Sequence, residues 1–221
     1  MPSEAAESFA IPARVHGHAL LVRGREAGPG APLLVGFHGY GENAERHLAE
    51  LARIPGVERF ARAALQALHP FYTRRDEVVA NWMTRFDRER AIADNVDYAA
   101  AAVALLKRAA GAERLVYAGF SQGVAMAYRA AALGGHVSSG VIALSGDVPP
   151  ELAPADLARL PPVLLGRGRA EAWYDEAKMA RDAERLRAAG VRVQPVLFDG
   201  GHEWTDAFRA AAGELLAAVC P

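Results

Sequence analysis

Cysteine, lysine and long apolar stretches are all scarce in this sequence of 221 residues. The one cysteine, Cys220, cannot form a disulfide within the chain or supply a cysteine cluster to a metal. Lysine occurs only at Lys107 and Lys178, and the formal net charge is −1. A chain with this charge balance lacks the basic surface that nucleic acids and anionic membranes attract, so we expect neither as a partner.

The sequence also lacks the segments that would direct a chain into or across a membrane. No stretch of membrane-spanning length is free of charges, Gly and Pro, so stable membrane insertion is not expected. The first ten residues contain Glu4 and Glu7 where a secretory signal would have a basic start and an apolar core. We therefore expect a cytoplasmic protein, and the sequence leaves its oligomeric state open.

Apolar runs that fit buried strands alternate with Ala-rich or amphipathic stretches that fit helices along almost the whole sequence. We predict strands over residues 13–23, 32–37, 63–71, 115–119, 137–145, 160–165 and 191–198, and helices over 43–54, 92–110, 124–133, 174–189 and 204–219. This alternation predicts one α/β domain over residues 1–221, with a doubly wound, mostly parallel sheet and helices on both faces. In such sheets ligands bind beyond the carboxyl ends of the strands.

Residues 119–123, Gly-Phe-Ser-Gln-Gly, have the G-x-S-x-G pattern of a nucleophile elbow. A strand is predicted before the motif and a helix after it, which is the context that a sharp turn exposing a serine hydroxyl requires. Gly119 and Gly123 fit places where a side chain would collide as the helix doubles back. Ser121 is therefore the candidate nucleophile. The N–H of Gln122, at the start of the helix, is a candidate oxyanion donor.

A serine hydroxyl is a poor nucleophile at neutral pH, so it needs a base that is itself oriented by a carboxylate. His202, in a Gly-Gly-His-Glu turn between the last strand and the last helix, is the candidate base, because the α/β-hydrolase order is Ser, acid, His. The acid is expected after the sixth predicted strand. We favour Glu171 on its position in that loop, with Asp175 at the next helix start as the alternative; Asp147 and Asp199 are weaker candidates.

The second predicted strand ends in His38-Gly-Tyr-Gly41. Glycines on both sides of Tyr40 let the backbone approach a ligand and turn its N–H groups inward, so the Tyr40 N–H is the candidate second oxyanion donor. His38 is expected to be a structural, hydrogen-bonded residue. His16 and His18 would lie on one strand face, but without a nearby carboxylate they do not indicate a metal site.

Residues 72–95 are rich in Arg, Asp and aromatic residues and show no long period. Long connections in α/β units are commonly functional, so we expect an excursion that helps to wall the substrate site. Trp82, Met83 and Trp173 are the candidate substrate-binding residues of an apolar acyl or aromatic site. Trp82 fits a packed residue equally well.

Three motifs together resemble the phospholipase/carboxylesterase family of α/β-hydrolases, which includes the acyl-protein thioesterases. They are His38-Gly-Tyr-Gly41, Gly119-Phe-Ser-Gln-Gly123 and Gly200-Gly-His-Glu203, and the resemblance extends from about residue 31 to the C-terminus. It implies hydrolysis of carboxylic esters or thioesters without a cofactor, with the Tyr40 and Gln122 N–H groups as the oxyanion hole. The family usually has aspartate where this sequence has Glu171, in Gly168-Arg-Ala-Glu171.

These observations predict a serine hydrolase that acts on a small-molecule ester or thioester through a Ser121, Glu171 and His202 triad and an acyl-enzyme. An acyltransferase on the same triad is one alternative, because aromatic walls from Trp82 and Trp173 would shelter an acyl-enzyme from water. A non-catalytic ligand-binding protein on the hydrolase fold is another, because the acid is unusual.

Overall fold

The computed structural model describes residues 6–220, and a seven-stranded sheet forms its centre. Its strands are β1 (His18–Arg23), β2 (Leu33–Phe37), β3 (Ala61–Gln66), β6 (Leu115–Phe120), β7 (Gly140–Leu144), β8 (Val163–Gly168) and β9 (Val193–Phe198). Their spatial order is β1-β3-β2-β6-β7-β8-β9. β1 runs antiparallel to β3 and every other neighbouring pair is parallel. The sheet therefore has the mostly parallel, doubly wound form that the alternation of strands and helices predicts.

The described residues contain six α-helices: α1 (Ala44–Leu51), α2 (Arg88–Ala110), α3 (Gln122–Leu133), α4 (Pro154–Leu157), α5 (Glu176–Ala188) and α6 (Asp206–Val219); the first five lie between strands, and α6 follows β9. Buried residues of α2, α3 and α5 join one apolar core, and those of α1 and α6 join a second core. Alternate strand residues divide between the two cores, so that Val35 belongs to the first and Leu34 to the second. Helices thus cover both faces of the sheet, as the sequence predicts.

The inner strands are buried on both sides because the helices cover both faces. Every residue of β2, β6, β7 and β8 is buried, which agrees with their short, continuous apolar runs. The outer strands β1 and β9 are partly exposed. Within residues 6–220, no helix has both the length and the apolar character needed to cross a membrane.

The single strand predicted over residues 63–71 is wrong. β3 ends at Gln66, because the next amide, that of Ala67, donates to His38 Nε2 at 3.1 Å. The chain then turns and forms β4 (His69–Tyr72), which pairs antiparallel with β5 (Val78–Asn81) in a separate two-stranded sheet. The segment 72–95 consequently contains half of a hairpin and the first turns of α2, which begins at Arg88 and not at residue 92.

Two helix ends agree with the capping residues in the sequence better than the strand bounds over residues 63–71 do. Asn43 caps α1, and its side chain accepts a hydrogen bond from the Arg46 N–H at 3.0 Å. Gly111 lies at the C-terminal end of α2 with a φ of 66°, a left-handed conformation that favours glycine.

His16 lies outside β1, so it does not share a strand face with His18 as the sequence predicts.

Candidate active site

Ser121 lies at the turn between β6 and α3, at the carboxyl edge of the sheet. Its backbone has φ 53° and ψ −120°, a conformation that L-residues rarely adopt. The Ser121 N–H donates to the Leu144 carbonyl of the neighbouring strand β7 at 2.9 Å, which ties the turn to the sheet. This is the strained strand-to-helix turn that the G-x-S-x-G pattern predicts.

Close backbone contacts explain the two glycines of the motif. A Cβ at Gly119 would lie 2.5 Å from the Gly123 carbonyl oxygen, and a Cβ at Gly123 would lie 2.0 Å from the Phe37 carbonyl oxygen. Backbone atoms cannot move aside as flexible side chains do, so neither position accepts a larger residue without shifting the turn.

His202 and Glu171 lie in the loops that follow β9 and β8 respectively, and the Glu171 carboxylate oxygen Oε2 bonds His202 Nδ1. The other carboxylate oxygen accepts from the Trp173 N–H at 2.8 Å and the Tyr174 N–H at 3.3 Å. Burial alone would raise the pKa of Glu171, but the Trp173 N–H and the His202 imidazole outweigh it and hold the pKa below its ordinary value. The carboxylate is thus ionised and accepts the Nδ1–H, which leaves His202 Nε2 free to act as a base.

The two loops approach each other at Gly168, the last residue of β8. A Cβ there would lie 2.3 Å from the Gly200 carbonyl oxygen, so the absence of a side chain lets the loop with Glu171 pack against the loop with His202. The imidazole also has aromatic neighbours, with ring centroids 4.9 Å from Phe120 and 6.0 Å from Trp173. Packing on these rings holds the His202 side chain in place.

The other candidate acids have different surroundings. Asp175 is the N-cap of α5, and its side chain accepts from the Lys178 N–H at 2.8 Å. Asp199 is almost fully exposed and pairs with Arg169 at 3.2 Å. Asp147 lines the cavity described below, but its Oδ1 has no hydrogen-bond partner within the described chain. Among the acids considered, Glu171 is the one that contacts His202.

The loop after β2 presents the Tyr40 amide. The N–H groups on either side are both bonded, that of Gly39 to Glu42 Oε2 at 2.7 Å and that of Gly41 to the Ala80 carbonyl at 3.0 Å. The Tyr40 N–H between them has no acceptor among residues 6–220. Tyr40 itself is 63% exposed, and its ring lies 5.6 Å from the Phe71 ring, tilted by 35°. Gln122 is the first residue of α3, where an N–H has no acceptor within the helix.

Trp82 is not on the cavity wall, which corrects the expectation that it contacts substrate. It is fully buried, packs at 5.4 Å from the Phe37 ring, and its indole N–H donates to the His38 carbonyl at 2.9 Å. The sequence around Trp82 has no regular hydrophobic period, so it could not show whether this side chain lies in the core or in the cavity wall. Trp82 therefore supports the loop that contains Tyr40 from behind.

His38 has the structural role that the sequence predicts. It is fully buried, its Nδ1 bonds the Gly39 carbonyl at 2.7 Å, and its Nε2 accepts from Ala67. Burial lowers its pKa, so the ring is neutral. Within the described residues, no group of three or more His, Cys, Asp or Glu side chains is placed to hold a metal ion.

A cavity of about 790 Å³ brings the candidate residues together. Ser121, Glu171 and His202 line it, as do Tyr40, Gln122, Met83 and Trp173. The Gln122 side chain fixes one wall, since its Oε1 accepts from the Trp82 N–H at 2.9 Å and its Nε2 donates to the Met83 carbonyl at 2.8 Å. The cavity lies at the carboxyl ends of the strands, where ligands bind in parallel sheets.

Charged residues that the sequence analysis did not single out also belong to this site. Arg88 and Arg129 line the cavity, and both pair with Glu151. Glu42 holds the Tyr40 loop through Gly39. One signal was present in the sequence: Arg129 is an arginine in an otherwise apolar helix, seven residues after Gln122 and therefore on the same helix face.

Comparison with known proteins agrees with this architecture. The sequence model of the phospholipase/carboxylesterase family matches residues 80–218. A comparison with curated proteins gave no match. Among solved structures, esterase PE8 is 21% identical with a TM-score of 0.74, over 93% of this chain and 100% of that one. Acyl-protein thioesterase 2 of Zea mays is 19% identical with a TM-score of 0.70, over 92% and 99% of the two chains. The carboxylesterase of Bacillus cereus is 15% identical with a TM-score of 0.73, over 92% and 94%.

The family match covers more than half of the chain, and the solved structures share its fold. Together with the strained elbow at Ser121 and the Glu171–His202 pair, they establish that this chain belongs to the phospholipase/carboxylesterase family of α/β-hydrolases.

Proposed function

We propose that the protein hydrolyses carboxylic esters or thioesters through a catalytic triad of Ser121, His202 and Glu171. The observation that supports this most directly is the bond from Glu171 to His202 Nδ1 in the wall of the cavity that Ser121 also lines. That bond leaves Nε2 as the basic nitrogen on the ring. The conformation of Ser121 at the elbow exposes its hydroxyl to the same cavity.

In the first half of the reaction, His202 Nε2 takes the proton of Ser121 while the serine oxygen attacks the acyl carbonyl. The tetrahedral intermediate collapses to an acyl-enzyme, and the imidazolium returns its proton to the departing alcohol or thiol. In the second half, His202 activates a water that attacks the acyl-enzyme, which releases the acid and restores Ser121. Glu171 holds the ring and stabilises its charged form, and remains ionised throughout.

The oxyanion formed in both halves would be bound by the Tyr40 and Gln122 N–H groups. Both amides are available, one between two bonded neighbours and one at the start of α3. Donors fixed by the fold in this way need no rearrangement when charge develops, and each is worth on the order of 3 kcal/mol.

The substrate class follows from the family and from the wall of the cavity. The structural neighbours include proteins named as an esterase, a carboxylesterase and an acyl-protein thioesterase. Met83, Ala125, Pro149 and Trp173 give the cavity an apolar lining suited to an acyl chain. The unusual acid motivates the alternative of a non-catalytic binding protein, and the contact of Glu171 with His202 supports the triad over that alternative. No observation favours an acyltransferase over a hydrolase.

Labelling with a fluorophosphonate probe tests the proposal. This probe reacts covalently with an activated serine, so the wild-type protein should be labelled and the Ser121→Ala variant should not. Hydrolysis of p-nitrophenyl esters should be lost in the same variant, with kcat lower by roughly 10⁴ or more.

A matched control is Ser138→Ala, which changes a half-buried serine in the segment before β7, at the opposite edge of the sheet. This variant should be labelled as the wild type is. Labelling that persists in Ser121→Ala, or that is missing in the folded wild-type protein, would contradict the proposal.

A further inference from the structure

The charged end of the cavity is unusual for a site lined mostly by apolar residues. Arg129 lies on α3 with only 2% of its side chain exposed. Its Nε and Nη2 bond Glu151 Oε1 at 2.8 and 2.6 Å. Its Nη1 faces only the sulfurs of Met83 and Met126, both at 3.8 Å. Thioethers are weak acceptors, so one N–H group of a buried guanidinium lacks a strong partner.

The two arginines at this end of the cavity have one acidic partner between them. Arg88 also pairs with Glu151, through Oε2 at 3.2 Å. Two guanidinium groups therefore share the single carboxylate of Glu151. Glu171 and Asp147 also line the cavity; Glu171 contacts His202, and within the described residues neither forms an ion pair with Arg88 or Arg129.

The position of Arg129 along α3 sets the distance between this charge and the nucleophile. Gln122, Ala125 and Arg129 all line the cavity, and their spacing of three and four residues puts them on one face of the helix. With a rise of 1.5 Å per residue, the backbone of Arg129 lies about 12 Å along the helix from Ser121. The departing group must lie beside His202, which protonates it, so the space along α3 is left for the acyl chain.

We propose that this cavity accepts esters or thioesters whose acyl chain ends in a carboxylate, as in monoesters of dicarboxylic acids. The carboxylate binds between Arg88 and Arg129, where it takes the Nη1 donor of Arg129 as the flexible Met83 side chain moves aside. A bound carboxylate would give the two guanidinium groups a second acidic partner beside Glu151. This assignment rests on the proposed hydrolase function, because it places the scissile carbonyl at Ser121.

Ligand binding to the Ser121→Ala protein tests the assignment without requiring turnover. The probes are monomethyl azelate, which has one free carboxylate, and dimethyl azelate, in which that carboxylate is esterified; the extended chain spans about 10 Å. At pH 7 and low salt, calorimetry should give a Kd about tenfold lower for the monoester, which corresponds to one charge-assisted hydrogen bond. High salt should reduce the difference.

Two variants in the Ser121→Ala background locate the effect. Arg88 is partly exposed, so Arg88→Gln should fold, and it should bring the two Kd values close together. Arg90→Gln is the control, because Arg90 is on the same helix but pairs with Asp87 at 2.9 Å and does not line the cavity; it should keep the preference. Glu151→Gln should increase the preference, because it removes the carboxylate that the two arginines share.

Equal Kd values for the two probes in the Ser121→Ala protein would overturn the assignment. A preference that survives Arg88→Gln unchanged would overturn it as well. These results are distinct from a failure of the hydrolase proposal, which would appear as missing Ser121-dependent labelling and hydrolysis, whatever the binding experiments give.

Discussion

Glu171 and Asp175 are four residues apart, yet only Glu171 contacts His202. Replacing Glu171 by Gln keeps the size of the side chain but removes its charge, and the amide can present its N–H₂ to Nδ1 and favour the wrong histidine tautomer. We expect kcat on p-nitrophenyl esters to fall by roughly 10³ to 10⁴ in Glu171→Gln.

Asp175→Asn is the matched control for this measurement. Asparagine caps helices about as well as aspartate, so α5 should stay intact and kcat should remain near the wild-type value. A large loss in Asp175→Asn together with a small loss in Glu171→Gln would assign the acid to Asp175 instead.

Individual site residues differ in how far the sequence could predict them. Ser121, His202 and Glu171 were predictable because each follows a strand, and a motif or a required chain order limits the choice. The pairing of Arg129 with Glu151 was not predictable, because it joins a helix to a loop 22 residues further along the chain. Met83 and Trp82 are adjacent, but only Met83 lines the cavity, and side-chain direction in an irregular segment depends on tertiary contacts.

At the scale of elements, α1 packs onto β2 through a buried histidine. His47 lies over Gly36, where a Cβ would be 2.4 Å from the His47 ring. Burial, and then the neighbouring His38, lower the pKa of His47 from 6.5 to about 3. Below pH 6.5 the unfolded chain takes up a proton that the folded chain does not, so this histidine destabilises the fold progressively as the pH falls towards 3.

Replacing His47 by Leu should remove this dependence. The difference in unfolding free energy between wild type and His47→Leu should change by about 2 kcal/mol between pH 7 and pH 5, with the wild type losing more stability. Urea denaturation at the two pH values measures it. His69→Gln, which changes an exposed histidine of β4, should follow the wild type. A His47→Leu difference that does not vary with pH would contradict the prediction.

Elements with strong apolar runs were predictable, whereas breaks within a run were not. The strands β2 and β6 lie within one residue of their predicted bounds because each is a short apolar segment that fits a buried strand, whereas β8 begins three residues later than predicted and includes Arg167. The break between β3 and β4 was missed because residues 63–71 are mostly apolar, with only Gln66 and His69 as polar residues. It is set by the bond from Ala67 to His38, a residue far away in the sequence.

At the scale of the whole molecule, the parallel arrangement of the strands brings the residues of the candidate site together. Loops after β2, β6, β8 and β9 supply Tyr40, Ser121, Glu171 and His202, and the carboxyl ends of parallel strands meet at one edge. This convergence was predictable before any distance was known. The shape of the cavity was not, because it depends on Met83 and Arg88, which belong to the segment that follows the β4–β5 hairpin outside the main sheet.

The same division between sheet and hairpin predicts an order of local stability. β6 is the central strand and is buried at every residue, whereas β4 is mostly exposed and, among residues 6–220, pairs with β5 alone. Amide hydrogens of β4 should therefore exchange with solvent at least about tenfold faster than those of β6, because β4 can open without unfolding the sheet. Hydrogen exchange followed by mass spectrometry measures both segments in one experiment.

The Gln122 side chain allows a specific test of this order of local stability. It forms hydrogen bonds with the backbone of Trp82 and Met83, in the segment that follows the hairpin. Gln122→Ala keeps the backbone N–H of residue 122 but removes both hydrogen bonds. Exchange should become faster around residues 78–83 and stay unchanged in β6. Equal exchange rates for the hairpin and β6 in the wild type would contradict this prediction, and so would an equal increase of both rates in Gln122→Ala. In either case the molecule would open as a single unit, so the cavity wall at Met83 could not move independently of the sheet that holds Ser121.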